Sequence, residues 1–127
     1  MNVVDKSSAY SRLIGLRVTA SAGGRGACAL DVEPKHHNSN GVAHGGVAYS
    51  LVDTAMGAAL YSTLKDGGAA ATVEIKISYF KPITTGPVVA EARVVHRSLH
   101  LATIESDLSH DGTLVAKALG TFRILKG

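Results

Sequence analysis

Gly45 and Gly46 stand at the head of an apolar, helix-like run, Val47 to Leu64, and that run carries one carboxylate, Asp53. A polar loop precedes them: His36-His37-Asn38-Ser39-Asn40-Gly41-Val42-Ala43-His44. A helix start leaves backbone N–H groups without intrahelical partners, and glycine lets a ligand approach them closely. An acid set among Ala, Leu, Val and Met is costly to bury without a purpose. Amide donors for a developing oxyanion plus one isolated carboxylate form the smallest kit for hydrolysing an acyl group.

The spacing limits how that kit can be used. Gly45 and Asp53 are eight residues apart, which is roughly 12 Å along a helix axis. Reacting atoms must come within about 3–3.5 Å of one another. One helix therefore cannot readily bring both groups to the same carbonyl. Two antiparallel helices from two copies of the chain can, with Gly45 of one meeting Asp53 of the other. On this reading an isolated monomer is inactive.

Other side chains invite chemistry with less specificity. His36, His37 and His44 cluster in sequence, but no Cys lies nearby and no helical i, i+4 histidine pair accompanies them, so no metal is expected. His44 fits a loop-fixing hydrogen bond as well as a catalytic role. Gly45 and Gly46 also fit a simple conformational hinge, and Asn38 a turn.

The elements that must position these groups follow from periodicity and punctuation. Ser7 to Ile14 reads as a short helix ending near Gly15. Leu16 to Ala20 reads as extended, Ser21 to Gly24 as a turn, and Arg25 to Glu33 as a strand closed by Pro34. In the long helix Leu51, Ala55, Ala58 and Ala59 follow helical spacing, and Gly67-Gly68 offers a C-terminal cap. Small residues Ala55, Gly57, Ala58 and Ala59 would let a sheet approach closely. Four strand-like runs come next. In the first, Val73, Ile75, Ile77 and Tyr79 alternate with polar residues. The last two are joined by Asp111-Gly112, a hairpin signal. In the last, Leu114, Ala116, Ala118, Gly120, Phe122 and Ile124 mark one face. The expected class is α+β, an antiparallel sheet of five to six strands curled around one long helix, as a single domain over residues 1–127. Its open edges and outer face favour pairing with a second copy.

Bulk composition narrows the classes. The chain has 127 residues, 46% hydrophobic and 18% charged, which suits one globular core. With no Trp and 5% aromatics, that core must be aliphatic. The net charge is +3, without a Lys/Arg run or aromatic–basic interleaving, so nucleic acid is not an expected partner. The long run is broken by Asp53 and several hydroxyl residues and does not read as a membrane span. One Cys excludes an intrachain disulfide. No basic opening followed by an apolar stretch suggests a secretory leader, and a reducing cytoplasm is the expected setting.

Asn38-x-x-Gly41-x-x-His44-Gly45-Gly46 with Asp53 downstream, then Val73-x-x-x-x-x-Tyr79-x-x-Pro82 and Gly86, resembles the hotdog-fold thioesterases. The branch it is most similar to is the PaaI-like (phenylacetate-degradation) one of the 4-hydroxybenzoyl-CoA thioesterase superfamily. The resemblance runs from about Leu13 to Ile124. It implies cofactor-free hydrolysis of acyl-CoA by a homo-oligomer, a dimer or a dimer of dimers (a homotetramer), with active sites between subunits.

By the same resemblance, Asp53 takes the place of the catalytic carboxylate and Gly45 that of the residue whose N–H polarises the thioester carbonyl. Asn38 falls where a side chain holds the reacting groups or water, and Thr72 where a hydroxyl assists the carboxylate. The chain departs from the family at His36-His37, where one histidine is usual. Lys81, Arg97 and Ser98, with His96 and His100 nearby, lie at strand connections where relatives bind the nucleotide of CoA, and phosphates favour such donors. Gly46, next to Gly45, is a further substrate-binding residue implied by the resemblance. Aromatic or medium-chain acyl groups are implied. Asp53 serves either as a general base for water or as a nucleophile giving an anhydride. Two other readings of the same fold are a non-catalytic acyl-CoA-binding or sensing protein, and a hydratase, whose usual motif is absent.

Overall fold

The computed structural model describes residues 8–127. Helix α1 (Ala9–Ile14) begins where the Ser8 hydroxyl accepts from the Ser11 amide at 3.0 Å, and ends on Gly15 in the left-handed conformation. Ser7, where this helix was expected to begin, lies outside the described residues. Strands β1 (Arg17–Ala22) and β2 (Arg25–Val32) form a hairpin. Its turn is Gly23-Gly24 alone, with φ of 58° and 79°, the geometry of a tight primed turn. Ser21 and Ala22, expected in the turn, instead pair with Gly26 and Arg25.

Past Pro34 the chain makes one 3-10 turn, Pro34–His36, and a loop to helix α2 (Gly45–Tyr61). The helix starts two residues before the expected Val47, because His44 caps it. It stops at Tyr61 and closes through Ser62, not on a glycine. Gly67, with φ of 80°, belongs to the turn that enters the next strand.

Strands β3 (Ala69–Tyr79), β4 (Gly86–Arg97), β5 (Leu101–His110) and β6 (Thr113–Lys126) follow. The six-stranded sheet has the order β1-β2-β4-β5-β6-β3 and is antiparallel throughout. It wraps α2, which is the α+β arrangement expected. Leu51, Val52, Ala55, Met56, Ala59 and Leu60 of α2 meet Leu30, Val88, Ile104, Leu108 and Phe122 in an aliphatic core. Among the described residues, no helix is long and apolar enough to cross a membrane.

Close packing of helix on sheet depends on Gly26. A Cβ there would collide with the backbone of Ala55 and Ala59, so α2 rests directly on β2. Gly57 was expected to share in this approach, but it faces open space. The helix surface that meets Gly26 is formed by Ala55, Ala58 and Ala59.

Two of the sheet's several register shifts bear on the site, one in β3 and one in β6. In β3 the pairing passes from Thr72↔Phe122 to Glu74↔Thr121, leaving Val73 as the extra residue. Val73 is 59% exposed and does not belong to the inward face with Ile75 and Ile77. In β6 the pairing passes from Leu108↔Ala116 to Ser109↔Leu114, so Val115 is buried and Leu114 turns outward. Each bulge inverts the period-two pattern beyond it.

Cys28 is fully buried and its thiol donates to Leu51 O at 3.1 Å. Burial pushes its pKa from the ordinary 9.0 up to about 12, opposed in part by a hydrogen bond with the Ala55 backbone. The neutral thiol thus favours the folded state fully below pH 9, and this advantage is lost as pH rises towards about 12. The folded protein should not react with a chromogenic disulfide or an alkylating reagent at pH 8, and should release one thiol equivalent on denaturation. Rapid labelling of the folded protein would contradict this burial.

Candidate active site

The N-terminal turn of α2 is held by a set of backbone anchors. The Ala43 N–H donates to Ile83 O at 2.7 Å and the His44 N–H to His36 O at 2.8 Å. His44 Nδ1 accepts from the Gly46 N–H at 2.8 Å, and His44 O accepts from the Val47 N–H at 2.9 Å. The Tyr79 hydroxyl donates to Gly45 O at 2.7 Å. Among the described residues, the Gly45 N–H is the amide of this turn that these bonds leave unspent. It sits on the exposed helix end, where the helix dipole favours a developing negative charge.

Asp53 projects from the third turn of α2 and is half-buried. The Thr72 hydroxyl donates to its Oδ1 at 2.7 Å. The bulge at Val73 makes this bond possible: without the extra residue, Val73 would face the helix and Thr72 would face away. The two polar side chains that the sequence placed nineteen residues apart are therefore in contact. Asp53 was expected among apolar neighbours on a covered helix. In the single chain its face of α2 is partly open.

The other expected site residues fall in different places. Asn38 uses its carboxamide oxygen on its own loop, accepting from Asn40 N at 2.8 Å and Val42 N at 3.4 Å, as a turn residue does. This leaves its NH₂ group for other partners. His44 acts as the helix cap, and with Nδ1 accepting, its proton resides on Nε2. Gly46 supplies the amide that His44 holds. His36 is buried, with Nδ1 accepting from Glu33 N at 2.9 Å and Nε2 donating to Ile14 O at 2.7 Å. His37 Nε2 donates to Thr84 O at 2.7 Å. Each of these histidines is thus anchored separately to backbone, and no group of three His, Cys, Asp or Glu converges as a metal site among the described residues.

Lys81 lies beside the N-terminal turn, whereas Arg97 binds the other end of the helix, donating to Thr63 Oγ1 at 2.9 Å and Thr63 O at 3.3 Å. Ser98 closes the adjoining β4–β5 turn through Leu101. α2 spans 17 residues, so these groups stand roughly 25 Å from Lys81 along its axis. One chain does not bring the three together.

A cleft of about 320 Å³ opens beneath the N-terminal turn. Val32, Leu51, Ile83, Val88, Leu108 and Val115 form its apolar wall, and His44, Gly45, Tyr79 and Lys81 its polar mouth. The cleft lies between α2 and its own sheet. The Tyr79 bond to Gly45 was not expected, and the only signal for it was the Tyr79-x-x-Pro82 spacing.

Known proteins resemble this chain in sequence and in fold. The family model described as thioesterase superfamily matches residues 40–117, which include Gly45, Asp53 and Thr72. Acyl-coenzyme A thioesterase 13 of Homo sapiens is 30% identical over 115 residues, covering 89% of this chain and 81% of its own. A solved structure of a conserved protein from Pseudomonas aeruginosa superposes with a TM-score of 0.94 at 34% identity, covering 98% of this chain and all of its own. A variant of the phenylacetic acid degradation protein PaaI from Thermus thermophilus superposes with a TM-score of 0.86 at 32% identity, covering 93% and 100%.

Proposed function

We propose that this chain, which belongs to the thioesterase superfamily and shares the hotdog fold of that family, cleaves acyl-CoA at sites shared between two copies. It is a thioester hydrolase. In the proposed site the Gly45 N–H of one copy holds the thioester carbonyl oxygen, and Asp53 of the other copy, steadied by its own Thr72, serves the attack.

As a general base, Asp53 takes a proton from water while the hydroxide adds to the carbonyl carbon. The tetrahedral oxyanion rests on the Gly45 N–H and then collapses. The C–S bond breaks, and the departing thiolate receives the proton from Asp53. As a nucleophile, Asp53 would expel the thiolate first to form a mixed anhydride, which water then cleaves. The Asn38 NH₂ group is free to hold water or the carbonyl, and His44 fixes the donor turn.

The observation that carries this reading is a separation. One chain holds an unspent amide donor at Gly45 and a Thr72-bound carboxylate at Asp53, roughly 12 Å apart along one helix. The free edge of β3 gives a second copy a place to continue the sheet, which supports a dimer, and further pairing of dimers would give a tetramer. In such an antiparallel pair, Arg97 and Ser98 of one copy approach Lys81 of the other, where the CoA phosphates would lie. A cytoplasmic setting goes with this substrate and with a single, sealed cysteine.

The cleft beside Gly45 would seat the acyl group. Its volume, at the lower end for ligand pockets, suits small aromatic or medium-chain groups. The test is release of free thiol over a panel of acyl-CoA esters. Phenylacetyl- and octanoyl-CoA should turn over at least about tenfold faster, by kcat/KM, than palmitoyl-CoA, because the longer chain outgrows the cleft. Preference for palmitoyl-CoA would overturn the acyl assignment. Tight binding without thiol release from any ester would favour a sensing role instead.

A further inference from the structure

Tyr79 ends β3 with its ring across the mouth of the cleft, and its hydroxyl reaches Gly45 O at 2.7 Å. The bond acts on a weak point. Helix α2 opens with two glycines, which have more backbone freedom than any other pair and a low intrinsic helix propensity. A free helix end of this composition would let the Gly45 N–H sweep a broad cone. Preorganisation is what gives an oxyanion donor its value.

The bonds around Gly45 divide by peptide unit. The Gly45–Gly46 peptide is held at both ends, its C=O by Tyr79 Oη and its N–H by His44 Nδ1. The His44–Gly45 peptide is held at its C=O by the Val47 N–H. Among the described residues, the Gly45 N–H is the one group of these two peptides left without a bond. The hydroxyl is also close-fitted to this residue: a Cβ on Gly45 would stand 3.3 Å from Tyr79 Oη and 3.5 Å from Cζ. Burial raises the pKa of Tyr79 above its ordinary 10.0, with Tyr49 adding to the shift, so the hydroxyl keeps its donor proton at neutral pH.

We infer that Tyr79 is a positioning residue that aims the Gly45 N–H at the reacting carbonyl by anchoring the next peptide. This rests on the reading of that N–H as the oxyanion donor. Tyr79 itself does not touch the reacting atoms and exchanges no proton with them.

The test is Tyr79→Phe, which keeps the ring in the cleft and removes the hydroxyl. It should lower kcat about three- to tenfold with KM within about twofold, since the lost hydrogen bond acts on the donor in the transition state. The pH profile of kcat should keep its shape. Amide exchange at Gly46, followed by NMR on the free protein, should quicken about tenfold or more as the turn loosens. Four results would overturn the inference: unchanged kcat, a rise in KM alone, loss of a limb of the pH profile, or unchanged exchange at Gly46. If the unmodified protein releases no thiol from any ester, the proposed activity fails instead. The exchange measurement still decides whether Tyr79 pins the turn.

Discussion

Asp53→Asn should leave a folded protein that turns over thioesters about 10²–10⁴-fold more slowly, the usual worth of a general base. Asn matches Asp in shape and can still accept the Thr72 hydroxyl through its amide oxygen, so the contact at 2.7 Å survives. It can neither take a proton from water nor attack a thioester. KM should move little, because the carboxylate acts on the reaction and not on the nucleotide. The measurement is thiol release at saturating ester, with the melting temperature as a check on folding. Turnover within about threefold of the unmodified protein would remove Asp53 from the mechanism and leave it as an ordinary carboxylate on a half-open helix face.

Gly45→Pro should be nearly as damaging, through the backbone. A backbone donor cannot ordinarily be deleted by mutation, but this position permits it. Gly45 is the first residue of α2, where proline is tolerated because the N–H has no helical partner. The preceding His44, at φ −59° and ψ 141°, already has the conformation that a following proline demands. The ring must displace the Tyr79 hydroxyl by a few tenths of an ångström, and Gly45→Ala is the control, adding a Cβ while keeping the N–H. Loss of one oxyanion donor should cost about 10²–10³ in kcat, with Gly45→Ala far milder. Equal, small losses in both variants would show that the N–H does no chemistry.

The two variants together test the shared site. In a mixed dimer of Gly45→Pro and Asp53→Asn, one site carries both defects and the other carries none. Refolding equal amounts together should therefore restore about a quarter of full activity, from half of the dimers with one sound site each. Each variant alone stays inactive. If mixing restores nothing while mixed dimers form, donor and carboxylate belong to the same chain, and α2 must bend or a water must bridge them.

The sequence offers these residues as candidates, but it does not say how they are aimed. The long helix, the Asp111-Gly112 hairpin and the strand succession rest on local rules of turn chemistry and apolar period, and they form as expected. Facing directions do not follow from such rules where a strand bulges. Val73, Ile75, Ile77 and Tyr79 spell a regular alternation, yet Val73 turns outward and Thr72 inward. The extra residue is dictated by pairing with β6, some fifty residues on, and leaves no mark in its own neighbours. Helix ends were misjudged for a related reason. His44 caps from outside the apolar run, and glycines near the far end serve a later turn. The separation of Arg97 from Lys81 was likewise invisible, because each lies in a plausible loop and only the sheet order sets their distance.

Thioester hydrolysis liberates a sulfhydryl compound at each turnover, so the enzyme spends its life among thiols and, under oxidation, their disulfides. Exchange between such species needs an accessible thiolate. The protein's single cysteine is sealed beneath α2, neutral and bonded to a carbonyl. Its own product therefore finds no thiol on the folded chain to cap, and a swing in the surrounding redox state should leave no covalent trace on the catalyst.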